Sequence, residues 1–202
     1  MSELVLASQS PRRIQLLEKA GFSFTSIPIN TSELIDENLH PDTQILSITR
    51  QKLEAATIWL KGLSKEDSTV IVADTEVLFR GRHLGKPQNK EHSREIIRRL
   101  SGNAHFVKTA VIIKNLKTLK EVSHIESSLV QFRLLTDREV DDYVNTDEGM
   151  DKAGAYGIQG LGQRLVAFQR GSMNNIIGFP IETIAPILKN EFNFATSNTT
   201  SK

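Results

Sequence analysis

Two short unbroken apolar runs, Leu4-Val-Leu-Ala7 and Val70-Ile-Val-Ala73, constrain the fold more than anything else in the chain. A run with no polar interruption suits a strand covered on both faces, and such strands belong to sheets sandwiched between helices. The first run leads into a helix predicted from Pro11 to Ala20, with Ser10 as its N-cap and Gly21 as its stop. Phe22, Phe24 and Ile27 then suggest a second strand. Strand, helix and strand in about thirty residues make an α/β unit.

The remaining elements follow from local signals. Pro41 opens a helix to about Leu60, with an apolar stripe of Ile45, Ile48, Ala55, Ala56 and Trp59. Val77 to Leu84 reads as a hairpin turning at Gly81, and Asn89 caps a helix over Lys90 to Leu100. His105 to Ile113 and Ser123 to Arg133 are β-rich, so two long antiparallel strands are expected. Thr136-Asp-Arg-Glu139 is a capping box starting a helix to about Asn145. Leu165 to Phe168 suggests a short strand, and Pro180 opens a last helix to about Leu188. The expected class is α/β, as a single domain over 1–190. The final stretch, 191–202, rich in Ser, Thr and Asn, is expected to be a disordered tail.

Composition removes several function classes. The 202 residues carry a net charge of +1, too little to wrap a polymeric nucleic acid. Cysteine is absent, which removes disulfides, thiolate nucleophiles and cysteine-type zinc sites. No signal-peptide pattern opens the chain and no apolar run reaches membrane-spanning length, so a cytoplasmic location is expected. There is no HExxH, no Gly-x-Ser-x-Gly, and no histidine pair at metal-binding helical spacing.

What remains is a set of charges in odd places. Arg12 and Arg13 occupy the first turn of a helix, where the dipole disfavours each positive charge by roughly 0.3–1 kcal/mol. Either they point into water or an anion belongs there, held by N–H groups, serine hydroxyls and guanidiniums together. Lys52 falls in the middle of an apolar stripe; either its ammonium snorkels out or it turns inward to meet an acid or a phosphate. Asp74 follows a buried strand, where α/β folds place their sites, although an aspartate can equally cap a turn. Glu33 lies in a loop without period and Lys86 precedes Pro87 in a stiff one. Basic groups with two carboxylates suit a polyphosphate chelated to Mg²⁺. Nucleotide or sugar phosphate, hydrolase or transferase, all remain compatible.

The string Leu6-Ala-Ser-Gln-Ser-Pro-Arg-Arg13, with Leu16-Leu17 following, resembles the opening signature of the Maf family of nucleoside triphosphate pyrophosphatases. The resemblance continues through Ala73-Asp-Thr75, Leu84-Gly-Lys-Pro87, Leu100-Ser-Gly102, Asp151-Lys-Ala-Gly-Ala-Tyr-Gly-Ile-Gln-Gly160 and Asn175-Ile-Ile-Gly-Phe-Pro180. It covers residues 4 to about 190 in family order. It implies a mixed, elongated, twisted sheet flanked by helices, with two lobes around a cleft, as in Maf and ITPase-like proteins. It also implies hydrolysis of a nucleoside triphosphate to the monophosphate and pyrophosphate, with Mg²⁺ or Mn²⁺, often in a homodimer.

Residue by residue, the resemblance makes Asp74 the proton acceptor and, with Glu33, a metal ligand; Asp36 and Glu37 lie close to Glu33 in the same loop. Ser8, Arg13, Lys52 and Lys86 match the groups around the phosphates. Arg12, Thr75 and Gln159 resemble the specificity positions of the branch acting on dTTP and UTP, where the 7-methyl-GTP branch tends to carry Trp, Gln and Glu. Glu76 and Phe179 are mild departures from the family pattern. A pyrophosphatase for another base and a nucleotide-binding regulator of division without turnover are the competing expectations.

Overall fold

A computed structural model describes residues 2–31, 36 and 39–197. It is α/β, with a mixed seven-stranded sheet ordered β2-β1-β3-β5-β6-β7 and β4 paired to β3. The chain divides into two compact units, one of Met1–Asp74, Thr109–Ile125 and Gly178–Lys202, the other of Thr75–Lys108 and Glu126–Ile177. Strands β3 (Thr69–Phe79), β5 (Ala104–Asn115) and β6 (Glu121–Phe132) each contribute residues to both.

In the first unit, β1 (Leu4–Ala7) pairs in parallel with β2 (Thr25–Ile27) on one side and with β3 on the other, Val5 lying opposite Thr25 and Val70. Alternation sorts these runs onto two faces. Leu4, Leu6, Ile71 and Ala73 pack with Leu17 of α1 (Pro11–Lys19) and with Ile184 and Leu188 of α6 (Ile181–Phe192). Val5, Ala7, Val70 and Val72 pack with Leu53, Ala56 and Leu60 of α2 (Pro41–Gly62). Both faces are therefore covered, as the unbroken runs require.

Several expectations shift here. The buried stripe of α2 runs through Ile45, Ile48, Thr49, Leu53, Ala56 and Leu60, whereas Trp59 is 42% exposed. The stripe lies one position round the helix from the expected one, which puts Lys52 at its edge. Strand β3 does not stop before Asp74 but runs through it to Phe79, because Thr75-Glu-Val-Leu-Phe79 keeps its backbone in the sheet. The last helix extends to Phe192, and the expected loss of structure beyond 190 does not hold up to Ser197. Phe194 packs on the α6 side of the core and donates its N–H to the Leu188 carbonyl at 3.0 Å. The Ser197 N–H reaches the Gly21 carbonyl at 2.8 Å. Gly21 itself has φ of +82°, the left-handed stop expected after α1.

The second unit gathers its core on one face. Val77, Phe79, Val107, Val130 and Phe132 point into it from the strands. They meet Ile96, Ile97 and Leu100 of α3 (Lys90–Leu100), and Val140 and Tyr143 of α4 (Asp137–Val144). Both helices start on the expected signals. The Asn89 side chain accepts from the His92 N–H at 2.8 Å, and Thr136 with Glu139 forms a complete capping box. The hairpin from β3 to β4 (Arg82–Leu84) turns on Arg80 and Gly81, both with positive φ, as a two-residue turn demands. β7 (Val166–Arg170) pairs antiparallel with β6, and α5 (Met173–Ile177) follows it. On the opposite face His83 Nδ1 lies 2.5 Å from Glu76 Oε2, while Phe106 and Phe168 are half exposed.

Candidate active site

The first unit brings Lys52 and Asp74 together. Strand alternation sends Asp74 to the same face as Val70 and Val72, which is the face that α2 covers. From that helix the Lys52 ammonium forms a hydrogen-bonded ion pair with Asp74 Oδ1. The two side chains are only 17% and 12% exposed. Of the two readings open for Lys52, the inward charge meeting an acid is the one observed. A pair this dry contributes little net stability, since desolvation offsets most of the attraction. Its placement points to chemistry rather than to folding.

Arg13 is anchored rather than splayed into water. Its Nη1 donates to the Ala73 carbonyl at 2.8 Å and its Nε to the Gly178 carbonyl at 2.9 Å. One guanidinium thus fixes the peptide that precedes Asp74 and the turn that precedes α6. The turn between β1 and α1 is built on Ser8, which is buried. Its hydroxyl accepts from the Ser10 N–H at 3.2 Å, and its carbonyl accepts from the Ser26 hydroxyl at 3.0 Å. Ser10 occupies the N-cap with extended backbone, but its side chain caps no N–H, Pro11 follows, and the first turn holds no acidic residue. The start of α1 therefore presents amides and Arg12 without a carboxylate from its own first turn, an arrangement that suits an anion.

Thr75, Lys86 and Gln159 belong to the second unit. Thr75 is the residue after Asp74 in β3 and is partly buried; Lys86 and Gln159 are exposed. The Gly154 N–H donates to the Gly85 carbonyl at 3.1 Å, tying the Lys86 loop to the glycine-rich segment that leads to Gln159. Glu33 and Glu37 lie outside the described residues, and Asp36 is exposed. Among the described residues no three acidic or histidine side chains converge as a metal cluster. A site of the Mg²⁺ type does not need one, because one or two carboxylates with substrate phosphates suffice. Asp74 supplies a hard oxygen donor of that kind, already faced by a cation in Lys52.

Sequence reasoning did not find the groups that hold the Gln159 segment. Glu148 accepts from the Leu161 N–H at 2.7 Å and the Gly162 N–H at 3.0 Å, and Tyr143 Oη accepts from the Gly157 N–H at 3.1 Å. No local pattern announces contacts of this range.

An α/β chain with a largely enclosed Lys–Asp pair and a helix start that its own N-cap side chain leaves uncapped fits proteins that act on phosphorylated ligands. Comparison with known families makes this specific: residues 3–191 match the model for Maf-like protein, and the chain belongs to that family. It is 46% identical over 185 residues to a dTTP/UTP pyrophosphatase of Bdellovibrio bacteriovorus, covering 92% of this chain and 96% of the relative. Proteins of the same name from Desulfitobacterium hafniense and Caldicellulosiruptor saccharolyticus are 39% and 37% identical. These matches cover 90% and 94% of this chain, and 82% and 94% of the respective relatives.

Proposed function

We propose that this protein hydrolyses dTTP and UTP to the nucleoside monophosphate and pyrophosphate. The observation that carries the reading is the largely enclosed Lys52–Asp74 pair, set in a chain whose relatives bear that name. Water attacks the α-phosphorus, an oxygen–phosphorus bond forms, and the bond to the bridging oxygen of the β-phosphate breaks. Pyrophosphate leaves with that oxygen. Asp74 orients the water and receives its proton. Lys52 holds the carboxylate in place and adds positive charge beside the reacting phosphate.

Arg13, anchored on two carbonyls, is a fixed positive charge near the Asp74 backbone; Ser8 and Lys86 complete the phosphate-binding set. Arg12, Thr75 and Gln159 select the base. Glu33 and Asp74 would hold Mg²⁺ or Mn²⁺, which supplies Lewis-acid neutralisation of phosphate charge. The family match over residues 3–191 supports one functional domain over 1–190; a homodimer in the cytoplasm completes the proposal. Among the described residues no helix is long and apolar enough to cross a membrane.

The test is pyrophosphate release across a panel of triphosphates with either metal. Turnover of dTTP and UTP above purine and 7-methylated substrates is the expected result. Nucleotide binding without pyrophosphate would replace the reading with a regulator. Asp74→Asn should lower kcat by at least about a thousandfold with the fold intact, the scale expected when a base is lost with the charge around it. A variant retaining most of its turnover would remove Asp74 from the mechanism.

A further inference from the structure

We propose that Glu148 is a positioning residue for base selection: its carboxylate clasps the glycine-rich loop that carries Gln159 and sets where that side chain stands. The proposal rests on the reading of Gln159 as a base-selecting residue. Every contact belongs to the second unit.

Both carboxylate oxygens are engaged. Oε2 accepts from the Leu161 N–H at 2.7 Å and Oε1 from the Gly162 N–H at 3.0 Å, while the Tyr143 hydroxyl donates to Oε1 at 3.3 Å. The same hydroxyl accepts the Gly157 N–H at 3.1 Å. The loop is thus held on each side of Gln159, at Gly157 before it and at Leu161 and Gly162 after it. Leu161 and Gly162 begin a short 3-10 helix whose N-cap is Gly160, a residue with no side chain to offer. Glu148 supplies that cap from thirteen positions upstream in the sequence. Charged acceptors make the stronger bonds of this kind.

Space is matched as closely as hydrogen bonding. A Cβ built on Gly157 would stand 2.9 Å from Glu148 Oε1, and one on Gly160 would collide with the carboxylate outright. The glycines leave a hollow that the carboxylate fills. Lys152 Nζ bonds the Glu148 carbonyl and also reaches Asp151 Oδ1 at 2.5 Å, fixing the start of the segment. Burial pushes the Tyr143 phenol well above its ordinary range, so it stays a neutral donor between Gly157 and the carboxylate. Within this frame Gln159 is exposed, between the bonded amides of Gly157 on one side and Leu161 and Gly162 on the other.

The experiment compares wild type, Glu148→Gln, Gln159→Ala and the double variant on dTTP, UTP and 7-methyl-GTP, alongside amide hydrogen exchange. Glu148→Gln keeps the shape but turns one N–H group toward the loop amides. Its KM for dTTP should rise about tenfold with kcat falling less than about threefold, the scale of losing one charge-assisted bond. Exchange at Leu161 and Gly162 should quicken, and preference for dTTP over 7-methyl-GTP should narrow. The double variant should be no less selective than the weaker single, because both changes act through one side chain. Tyr143→Phe, which removes only the bridging hydroxyl, should move KM in the same direction by less. Unchanged KM in Glu148→Gln, or losses that multiply in the double variant, would overturn the clasp. Wild type that turns over neither dTTP nor UTP would bring down the functional reading, and this proposal with it; wild type active on dTTP beside an equally good Glu148→Gln would bring down the clasp alone.

Discussion

The two units share strands yet solve burial differently. β5 shows both solutions in one element: exposed Ala104 and Phe106 alternate with buried His105 and Val107, while Thr109 to Ile113 are buried without exception. β3 makes the same change in reverse, uniformly buried from Thr69 to Ala73 and then carrying partly exposed Thr75 and Glu76. Where helices cover both faces, every side chain must be apolar or paired; where one face is covered, alternation suffices. The lesson concerns charge. In the first unit the Lys52–Asp74 pair sits where desolvation is heavy, so neither partner can be lost quietly. In the second, most charges lie on an open face, and the dry polar groups are few: His105, and the Glu76–His83 pair, whose side chains are 24% exposed for His83 and 13% for Glu76.

The largest expected effect tests the first half of that contrast. Lys52→Met strands Asp74 on a covered face and should cost about 3–5 kcal/mol in denaturant unfolding. A loss under about 1 kcal/mol would mean that the α2 face is wet, as for exposed ion pairs, and the contrast would fail there.

Next comes the pH response of the second unit. His105 is held at about 4 against an ordinary 6.5 because burial disfavours its charged form. Its Nε2 lies 2.8 Å from the Tyr156 hydroxyl, and its ring meets Phe132 and Tyr156 edge-on. Above pH 6.5 both folded and unfolded states leave it neutral. Between 6.5 and about 4 the unfolded chain binds a proton that the folded one refuses, so stability falls by up to about 3 kcal/mol on acidification. His105→Phe should flatten that part of the pH–stability curve, and exchange protection should drop first around β5 and Phe132. A curve unaltered by the substitution would show another group to be responsible.

Smaller effects sharpen the comparison. Thr136→Ala removes one half of the α4 capping box and should cost about 1 kcal/mol by thermal unfolding. Phe168→Ser, on the open face at 54% exposure, should change stability by less than about 0.5 kcal/mol. A loss of several kcal/mol there would show that this face is covered in solution.

What could be read from the sequence follows the range of the interaction. The starts of α3 and α4 were legible because Asn89 and Thr136 cap groups three residues away. The unbroken runs announced the two-faced layer directly. Trp59 was misplaced because two stripes a helix position apart have the same period, and only packing decides between them. Asp74 was placed at a strand end because Thr75 and Glu76 interrupt the apolar run without breaking the backbone ladder. α5 is only five residues long, and its cap, the Ser172 hydroxyl accepting from the Asn175 N–H at 3.0 Å, sits in a segment whose sequence reads as a turn. At the site, Lys52 was legible as an odd charge in an apolar stripe but not as an inward one, and the roles of Arg12, Thr75 and Gln159 came only from resemblance. Arg13 on two distant carbonyls and Glu148 on the loop amides were invisible, because neither leaves a trace in neighbouring residues.

The bond from Arg13 to the Gly178 carbonyl joins positions 165 apart, and this has a consequence for the order of synthesis. A chain growing at about 5–20 residues per second completes Thr75–Lys108 and Glu126–Ile177 before Gly178 exists. The portion made first is therefore the one finished last. Until α6 emerges, the side of β1 and β3 that it shares with α1 is only partly covered, and Arg13 lacks the second of its two carbonyls. A nascent chain stalled before Gly178 would hold Lys52 and Asp74 with Arg13 tied to the Ala73 carbonyl alone, so the surroundings of Asp74 are completed only after Gly178 has been made.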